Sequence, residues 1–320
     1  MTANRDDLLE RLRQRLLASA NSAGWGYYAG KASRVEPTCW ALLALASDGR
    51  HAHDEWLALA NRHVAYLVGL QGKDGLLVET EPALANLAAN ALAAIMLAHL
   101  SARASAAAPA STTVAAFSTP ALSTTLERLH AALVNLKGVR IEQIDPKQDS
   151  TLQGWPWVRD TFSWVEPTAW CLLALKIAGQ QPRSTASSAR QLEAERLLAN
   201  RMCTGGGWNF GNAAALGQDL RAYVPTTAVA LLSVQDKRAE TYVAESFAML
   251  QSHRIAEPGA MTLALVSVCL RLYGIATDDV DDRLAQAVAN SEDAGNVQAV
   301  AMTMYALSAD QHQGDAFRVA

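Results

Sequence analysis

The sequence has few charged residues and no run of basic ones. Lys, Arg, Asp and Glu together make up 18% of its 320 residues, and 27 Lys and Arg against 31 Asp and Glu give a net charge of −4. Proteins that bind nucleic acid neutralise phosphates with clustered cations, so this composition predicts that nucleic acid is not a partner. Hydrophobic residues make up 50% of the chain, which supports a large core and excludes a mainly disordered protein.

Long apolar stretches and closely spaced cysteines are also lacking. The longest apolar stretches, residues 91–100 and 259–270, are shorter than the roughly 18–20 residues of a membrane-spanning helix. Residues 1–21 are charged and lack the apolar core of a secretory signal. The four cysteines are widely spaced and three lie in apolar runs, so we expect reduced core residues in a cytoplasmic protein. They are Cys39, Cys171, Cys203 and Cys269.

The most informative feature that is present is an internal repeat. Each of its three clearest copies has a Gly-Trp pair, a variable loop and then an apolar segment that contains Pro and Thr. The first two copies share the letters Val-Glu-Pro-Thr, and the third has Val-Pro-Thr-Thr. Weaker copies open at Glu81 and Glu257, and a degenerate one begins near Asn296. The Gly-Trp pairs begin at Gly24, Gly154 and Gly207, and the apolar segments begin at Val35, Val165 and Val224.

Two kinds of helical segment alternate along the chain. The apolar segments carry few charges, which is typical of helices buried on most sides. The segments between them are amphipathic, with charges at helical spacing. Six of each kind predict an all-α fold, an (α/α)6 toroid of six outer and six inner helices, as one domain over residues 1–320. Two stretches rich in Ala, Ser and Thr, near 101–125 and 180–189, are expected to be flexible loops.

Acidic residues stand next to the prolines at the expected starts of inner helices. Pro is favoured in the first helical turn, and a carboxylate there complements the positive end of the helix dipole. Since each outer helix returns the chain to its starting side, all inner helices begin at one rim of the ring. We therefore expect Glu36, Glu81, Glu166 and Glu257 on that rim, where the cavity of a toroid opens.

This repeat resembles that of the squalene-hopene cyclase and protein prenyltransferase β-subunit superfamily, over roughly residues 24–307. The resemblance implies a terpenoid cyclase-like toroid that binds a hydrophobic small molecule, an isoprenoid or lipid, and carries out acid-initiated cyclisation or isomerisation. Class II terpene cyclases carry an Asp-x-Asp-Asp-Thr-Ala motif whose middle Asp protonates an alkene or epoxide. Aligned on the Thr, Glu166 and Glu36 stand at the position of that acid, which makes them the catalytic candidates. The flanking aspartates of the motif are missing here.

The zinc chemistry of the protein prenyltransferases is not expected. The resemblance implies zinc held by an Asp, a Cys two residues later and a distant His, and no Asp-x-Cys occurs here. His51 and His53 beside Asp54 are either metal ligands or a solvated helix start, and we predict the helix start. An Asp-Val-Asp-Asp run at 279–282 is followed by Arg-Leu and is interpreted as an exposed helix start. We predict no metal and no cofactor.

Aromatic residues make up only 6% of the chain, yet they cluster in the loops before inner helices. Ring faces there either line an apolar cavity and stabilise a carbocation or staple neighbouring helices, and we expect stapling by Trp25, Trp155 and Trp208. Arginines near the rim, Arg34 among them, either bind an anionic group or pair with the rim glutamates. The substrate-binding candidates are Trp40, Trp157, Phe162, Trp164, Trp170, Tyr223, Arg159 and Arg221.

Three functions are compatible with these features. The first is a terpene cyclase-like or prenyltransferase-like protein that takes an isoprenoid or lipid into its cavity, with Glu166 or Glu36 as general acid. The second is a non-catalytic lipid-binding or protein-interaction module of the same fold, whose ligand is a lipid, a protein partner or a second copy of the chain. The third is a different toroid enzyme in which two carboxylates face each other across a cleft.

Overall fold

The structure, a computed structural model, describes residues 2–48, 53–79, 84–106, 120–142, 148–178, 184–290, 295–308 and 314–319. Twelve helices lie in these ranges, and they alternate between two layers as the repeat predicted. They are α1 (Thr2–Ala18), α2 (Val35–Asp48), α3 (His53–Gly69), α4 (Leu87–Ala106), α5 (Pro120–Asn135), α6 (Val165–Ile177), α7 (Thr185–Arg201), α8 (Val224–Ser233), α9 (Thr241–His253), α10 (Ala260–Leu272), α11 (Asp278–Asn290) and α12 (Val297–Ser308). A two-stranded hairpin, β1 (Ala214–Ala215) and β2 (Gln218–Asp219), precedes α8, with Ala214 opposite Asp219.

The even-numbered helices form the inner layer of a closed ring. Each contacts the even-numbered helix before and after it, and α12 contacts α2. The inner helices are buried almost all round, as in α2, where every residue from Pro37 to Ala46 is buried. The odd-numbered helices bury one face only, as α5 does through Leu122, Leu129 and Leu133. The fold is therefore an all-α (α/α)6 toroid, and we call the end where the inner helices begin the N-terminal rim.

Three predicted boundaries differ from the structure. Helix α4 extends to Ala106 and α5 begins at Pro120, so the ends of the expected 101–125 loop are helical, because their alanines favour helix. Residues 107–119 lie outside the described residues. The expected 180–189 loop is helical from Thr185, since Ser184 accepts a hydrogen bond from the Ser187 N–H and caps α7.

The start of α4 is also displaced from its predicted position. The helix begins at Leu87 rather than beside Glu81, which lies outside the described residues.

Of the helices the structure describes, none combines the length and apolarity that a membrane crossing requires.

The three Gly-Trp pairs tie three of the six inner helices, α2, α6 and α8, each to the outer helix before it. The backbone N–H of Trp155 donates to Thr168 Oγ1 at 2.9 Å, and its indole N–H donates to the carbonyl of Leu133, near the end of α5, at 2.9 Å. The same two bonds recur at Trp25 and Trp208, and all three indoles are fully buried. The predicted stapling role of these tryptophans is confirmed.

We expect Gly154→Ala to lower the free energy of unfolding by about 2 kcal/mol, because an added Cβ would collide with the hydroxyl of Thr168 and displace it from the staple. Gly69→Ala, at the end of α3, is the control, since a Cβ there meets nothing within 4 Å. It is expected to be neutral or slightly stabilising. Urea unfolding of both variants measures the difference, and equal midpoints would contradict the staple.

Most repeats also cap the inner helix of the repeat before them. In five places the first backbone N–H of an inner helix donates to an oxygen from the next repeat around the ring, and one of these bonds joins the last repeat to the first. One consequence is that Glu257, expected at the start of its own helix, instead serves as the N-terminal partner of α8. The five pairs are Val35 N to Glu79 Oε1 (2.5 Å), Leu87 N to Trp157 O (2.9 Å), Val165 N to Phe210 O (2.9 Å), Val224 N to Glu257 Oε1 (3.2 Å) and Val297 N to Tyr27 O (2.8 Å).

The C-terminal segment fills the opposite end of the ring. Phe317 is fully buried there, and its carbonyl accepts from Gln235 Nε2 at 2.7 Å. Asp315 holds the segment in place by accepting from Tyr305 Oη at 2.8 Å and pairing with Arg271 at 2.7 Å. Because these partners lie at the ends of α8, α10 and α12, the central hole expected from the sequence is closed on this side.

Candidate functional site

Two carboxyl groups from different inner helices lie near each other at the N-terminal rim. Glu36 and Glu166 are each the second residue of their helix, α2 and α6. They lie close enough for the charge of Glu36 to raise the pKa of Glu166. Both side chains are partly exposed, whereas Val35 and Pro37 on either side of Glu36 are buried. The two predicted catalytic residues therefore share one mouth of the ring.

Glu36 is held by two hydrogen-bond donors from other elements. Tyr27 Oη donates to one carboxylate oxygen at 2.9 Å, and Gln298 Nε2 donates to the other at 2.7 Å. Gln298 is the second residue of α12, so it occupies the position that Glu36 and Glu166 occupy in their own helices. Burial and the neighbouring Glu36 raise the pKa of Tyr27 well above its usual range, which keeps Tyr27 a donor.

Glu166 has the properties of a proton donor near neutral pH. Burial, with a smaller contribution from the charge of Glu36, raises its pKa from 4.5 to about 7. The indole N–H of Trp170 donates to the Glu166 carboxylate and opposes this rise. A carboxyl group with this pKa is partly protonated at neutral pH, where an exposed glutamate is fully ionised. Its protonated form can give up a proton, and Trp170 stabilises the carboxylate that remains.

The raised pKa of Glu166 predicts a pH-dependent stability. Between pH 4.5 and about 7 the unfolded chain ionises this group before the folded protein does, so the free energy of unfolding falls as the pH rises through that window. Glu166→Gln removes the effect and is expected to be more stable than the wild type at pH 8, by up to about 3 kcal/mol.

Glu36→Gln is the partial control for this experiment. It removes only the contribution of the Glu36 charge to the raised pKa of Glu166. The free energy of unfolding is therefore expected to fall less steeply with pH than in the wild type, but still to fall. Urea unfolding from pH 4.5 to 8 measures all three proteins. Identical slopes for wild type and Glu166→Gln would show that Glu166 ionises normally.

The two tryptophans of the inner helices lie beneath the carboxyl groups. Trp40 and Trp170 are 2% and 7% exposed and pack edge to face, with ring centroids 6.2 Å apart. Phe317 of the C-terminal segment contacts both, at 5.4 Å and 5.9 Å, and Tyr305 contacts Trp40 at 6.0 Å. These four rings pack together below the mouth and leave little of either tryptophan exposed.

Four of the other candidates lie in a second pocket, of about 680 Å³. They are Phe162, Trp164, Arg221 and Tyr223, and the lining of this pocket includes neither Glu36 nor Glu166. The structure therefore divides the predicted binding residues between the mouth of the ring and a pocket beside it.

The remaining candidates serve contacts within the rim. The carbonyl of Trp157 accepts from the first N–H of α4, Leu87, at 2.9 Å. Arg159 pairs with Asp74 at 2.7 Å. Arg34 pairs with a rim glutamate, Glu79, at 2.9 Å, which is one of the two roles the sequence left open.

The possible metal ligands of the sequence are His51, His53 and Asp54. Among the described residues no group of three or more His, Cys, Asp or Glu is placed to hold a metal ion. His51 lies outside the described residues, and the side chains of His53 and Asp54 are not described either. Helix α3 does begin at His53, as predicted.

The acidic run at 279–282 lies at a helix start, as predicted, but it is not wholly exposed. Asp279 is on the surface and pairs with Arg254 at 2.7 Å. Asp281 is buried, and its carboxylate accepts hydrogen bonds from Ser267 Oγ at 2.6 Å and Thr277 Oγ1 at 3.0 Å. This run joins α10 to α11 and takes no part in the site.

Sequence reasoning missed Tyr27, Gln298 and Phe317 as parts of this site. Gln298 lies in the degenerate sixth repeat, where the signal was its place two residues after Asn296, at the helix start. Phe317 belongs to no repeat, and its only signal was a large apolar residue beyond the last helix.

Comparison with known proteins identifies the fold. No protein-family model matches the chain, and no curated protein matches it. A solved structure of a protein from Actinoplanes matches with a TM-score of 0.56 at 13% identity, over 95% of this chain and 99% of that one. The type II terpene cyclase MstE from Scytonema matches as a variant in complex with its product merosterolic acid A, with a TM-score of 0.52 at 13% identity, over 96% of this chain and 98% of that one. An apo variant of MstE matches with a TM-score of 0.54 at 11% identity, over 97% of this chain and 99% of that one. The chain thus has a terpenoid cyclase-like fold.

Proposed function

We propose that this protein is a terpene cyclase-like enzyme, with residues 1–320 as one unit, and that it protonates a hydrophobic isoprenoid at the mouth of the toroid. The observation that carries the proposal is Glu166, a carboxyl group with a pKa of about 7 that lies beside Glu36 at the mouth and above Trp170. A general acid is most effective when its pKa is close to the working pH. The four buried free cysteines agree with a cytoplasmic location.

The proposed reaction is an isomerisation that needs no second substrate. The Glu166 O–H transfers its proton to one carbon of an alkene, whose π electrons form the new C–H bond and leave a cation on the adjacent carbon. The π electrons of a second alkene in the same molecule attack that cation and close a ring. Loss of a proton from the resulting cation to the carboxylate pair forms a new alkene and restores the acid. Substrate and product therefore have the same elemental composition.

Each neighbour of Glu166 has a part in this scheme. Trp170 donates to the carboxylate that forms when the proton leaves, and the nearly buried pair Trp40 and Trp170 supplies aromatic rings beneath the mouth. Glu36, fixed by Tyr27 and Gln298, places a negative charge near the developing cation. A charge and aromatic rings so placed stabilise a carbocation.

The comparisons support an active site within a single toroid, without a second toroid. The large cyclases of the superfamily that the repeat resembles place their active site between two toroids, and this chain has one. The type II terpene cyclase MstE matches this chain over 98% of its own length, so a terpene cyclase of similar extent exists with this fold. That protein is a terpene cyclase with its product bound, which supports the isoprenoid ligand class that the resemblance of the repeat implies.

The first test is to extract the natural ligand. We would purify wild type and Glu166→Gln from cells in parallel and identify bound lipids by mass spectrometry. We expect a cyclic isoprenoid in the wild type and its uncyclised isomer, of identical mass, in Glu166→Gln, because Gln keeps the shape and the bond from Trp170 but has no acidic proton.

Glu257→Gln is the matched control, because Glu257 is also a rim glutamate but serves to cap α8. It is expected to carry the same ligand as the wild type. The same molecule in wild type and Glu166→Gln would favour the non-catalytic binding module, and no isoprenoid in either protein would reject the proposal.

A further inference from the structure

The pocket beside the mouth has the properties of a separate ligand site. Its volume of about 680 Å³ lies within the range of small-molecule pockets. It is formed by the loops that lead into α6 and α8, on the N-terminal rim, and neither Glu36 nor Glu166 contributes to it. The bond from Val165 N to the carbonyl of Phe210 and the bond from Gly211 N to Asn209 Oδ1, 2.9 Å, fix one loop against the start of α6. The pocket is therefore preformed.

Exposed apolar side chains are concentrated around this pocket. Of the twelve large apolar residues that are exposed in the described part of the chain, five line it, each 39–52% exposed. Leu216, at the tip of the adjacent hairpin, is exposed as well. Single exposed apolar residues are ordinary, but a contiguous group marks a binding surface. The five are Val139, Ile141, Phe162, Phe210 and Leu220.

Two pairs of aromatic rings form walls inside the pocket. Phe162 and Trp164 have centroids 4.9 Å apart, and Phe210 and Tyr223 have centroids 5.0 Å apart. These four rings offer faces and edges to an apolar ligand of either aliphatic or aromatic character. Together with the aliphatic residues they give the pocket a mostly apolar lining.

The charged groups in the lining are of one sign. Among the described residues, two arginines and no Asp or Glu line the pocket, although the protein as a whole is acidic. Arg201 is partly neutralised, since it donates to the carbonyl of Asp149 at 3.1 Å and interacts with the charge of that residue. Arg221 is exposed and lies over the ring of Tyr223 at 5.6 Å.

Arg221 differs from the other rim arginines in its partners. Arg34 and Arg159 each pair with a carboxylate, whereas no described carboxylate forms an ion pair with Arg221. The acidic residue nearest to it in sequence, Asp219, accepts a hydrogen bond from Thr204 Oγ1 at 2.8 Å. An arginine at the edge of an apolar pocket, with no carboxylate partner among the described residues, is suited to an anionic group on a ligand.

From these observations we infer that the pocket binds an amphipathic anion, a molecule with one phosphate or carboxylate head and an apolar body. Arg221 contacts the head, and the two aromatic pairs contact the body. This inference does not depend on the proposed function, because it concerns different residues and requires no reaction.

The test uses dodecyl phosphate below its micelle concentration as the probe, titrated by calorimetry into the 320-residue protein. We expect one molecule of dodecyl phosphate bound per chain. Dodecanol, which lacks the phosphate head, and inorganic phosphate, which lacks the apolar body, are each expected to bind at least about tenfold more weakly. Arg221→Gln is expected to lower the affinity for dodecyl phosphate at least about tenfold. Arg159→Gln removes the same charge from the same rim but outside the pocket, and we expect it to bind as the wild type does.

Two further variants show where on the protein dodecyl phosphate binds. Phe210→Ser, in the pocket wall, is expected to weaken binding, and Glu166→Gln is expected to leave it unchanged, which separates this pocket from the mouth of the ring. Thermal melting confirms that each variant is folded. The inference is overturned if Arg221→Gln binds as tightly as the wild type, if Glu166→Gln abolishes binding, or if the protein binds only phosphatidylglycerol vesicles and not the monomeric probe.

Discussion

Glu166→Gln is expected to lower turnover of an isoprenoid substrate by about 10²–10⁴-fold, the usual contribution of a positioned general acid. Gln keeps the size of the side chain and can still accept the hydrogen bond from Trp170, so the fold and the mouth of the ring should be preserved. Only the transferable proton is lost. The measurement is product formation from a pool of linear isoprenoids, with circular dichroism as the check on folding. Turnover that persists at wild-type rates would remove Glu166 from the mechanism.

The pH dependence of turnover tests the coupling between the two carboxyl groups. The acid must be protonated to act, so wild-type turnover should fall as the pH rises through about 7, the pKa of Glu166. Glu36→Gln removes one of the two causes of that raised pKa, and the fall should then begin at lower pH. Glu257→Gln, at the same rim but bonded to α8, should keep the wild-type profile. Coinciding profiles for wild type and Glu36→Gln would show that the two groups act independently.

Phe317→Ala is expected to have the largest effect on stability, a loss of about 3–5 kcal/mol, because a fully buried ring is removed from a cluster of aromatic side chains. The same substitution opens space behind Trp40 and Trp170. We therefore expect the variant that remains folded at low temperature to bind longer or bulkier isoprenoids than the wild type does.

Val319→Ala is the matched control for the C-terminal segment. Val319 is only partly buried and is tied to Gln235 through its backbone N–H, at 3.2 Å, so truncating its side chain leaves that tie in place. Its effect on stability should be well below that of Phe317→Ala, with no change in ligand preference. Urea unfolding and mass spectrometry of bound lipid measure the two effects. If Phe317→Ala is as stable as Val319→Ala, the ring of Phe317 does not close the toroid.

The fold was predictable because its signals are local. The Trp155 N–H and the Thr168 hydroxyl that bind each other are 13 residues apart, so the staple is contained in a single repeat and recurs with it. Alternation of apolar and amphipathic segments then determined which helices lie inside. The loop boundaries were less accurate, because alanine-rich sequence favours helix whether or not a segment belongs to the repeat.

The candidate site was predictable only where it follows the repeat. Glu36 and Glu166 hold equal positions in two copies, so their shared rim followed from the toroid. Gln298 holds the same position in a copy too degenerate to align. Phe317 could not be placed, because its contacts with Trp40 and Trp170 depend on how the chain after α12 returns into the ring. Trp164 was predicted to bind the substrate together with Trp40 and Trp170, yet it precedes α6 and lines the neighbouring pocket.

The central claim is that a carboxyl proton starts the reaction, and isotope incorporation tests it most directly. We would incubate the purified protein in deuterium oxide with farnesol, geranylgeraniol and squalene, and analyse the products by mass spectrometry and NMR. Because the Glu166 proton exchanges with solvent, the account predicts a cyclic product with one deuterium at the carbon that was protonated, absent from Glu166→Gln. A product without deuterium, or one formed equally by Glu166→Gln, would contradict it.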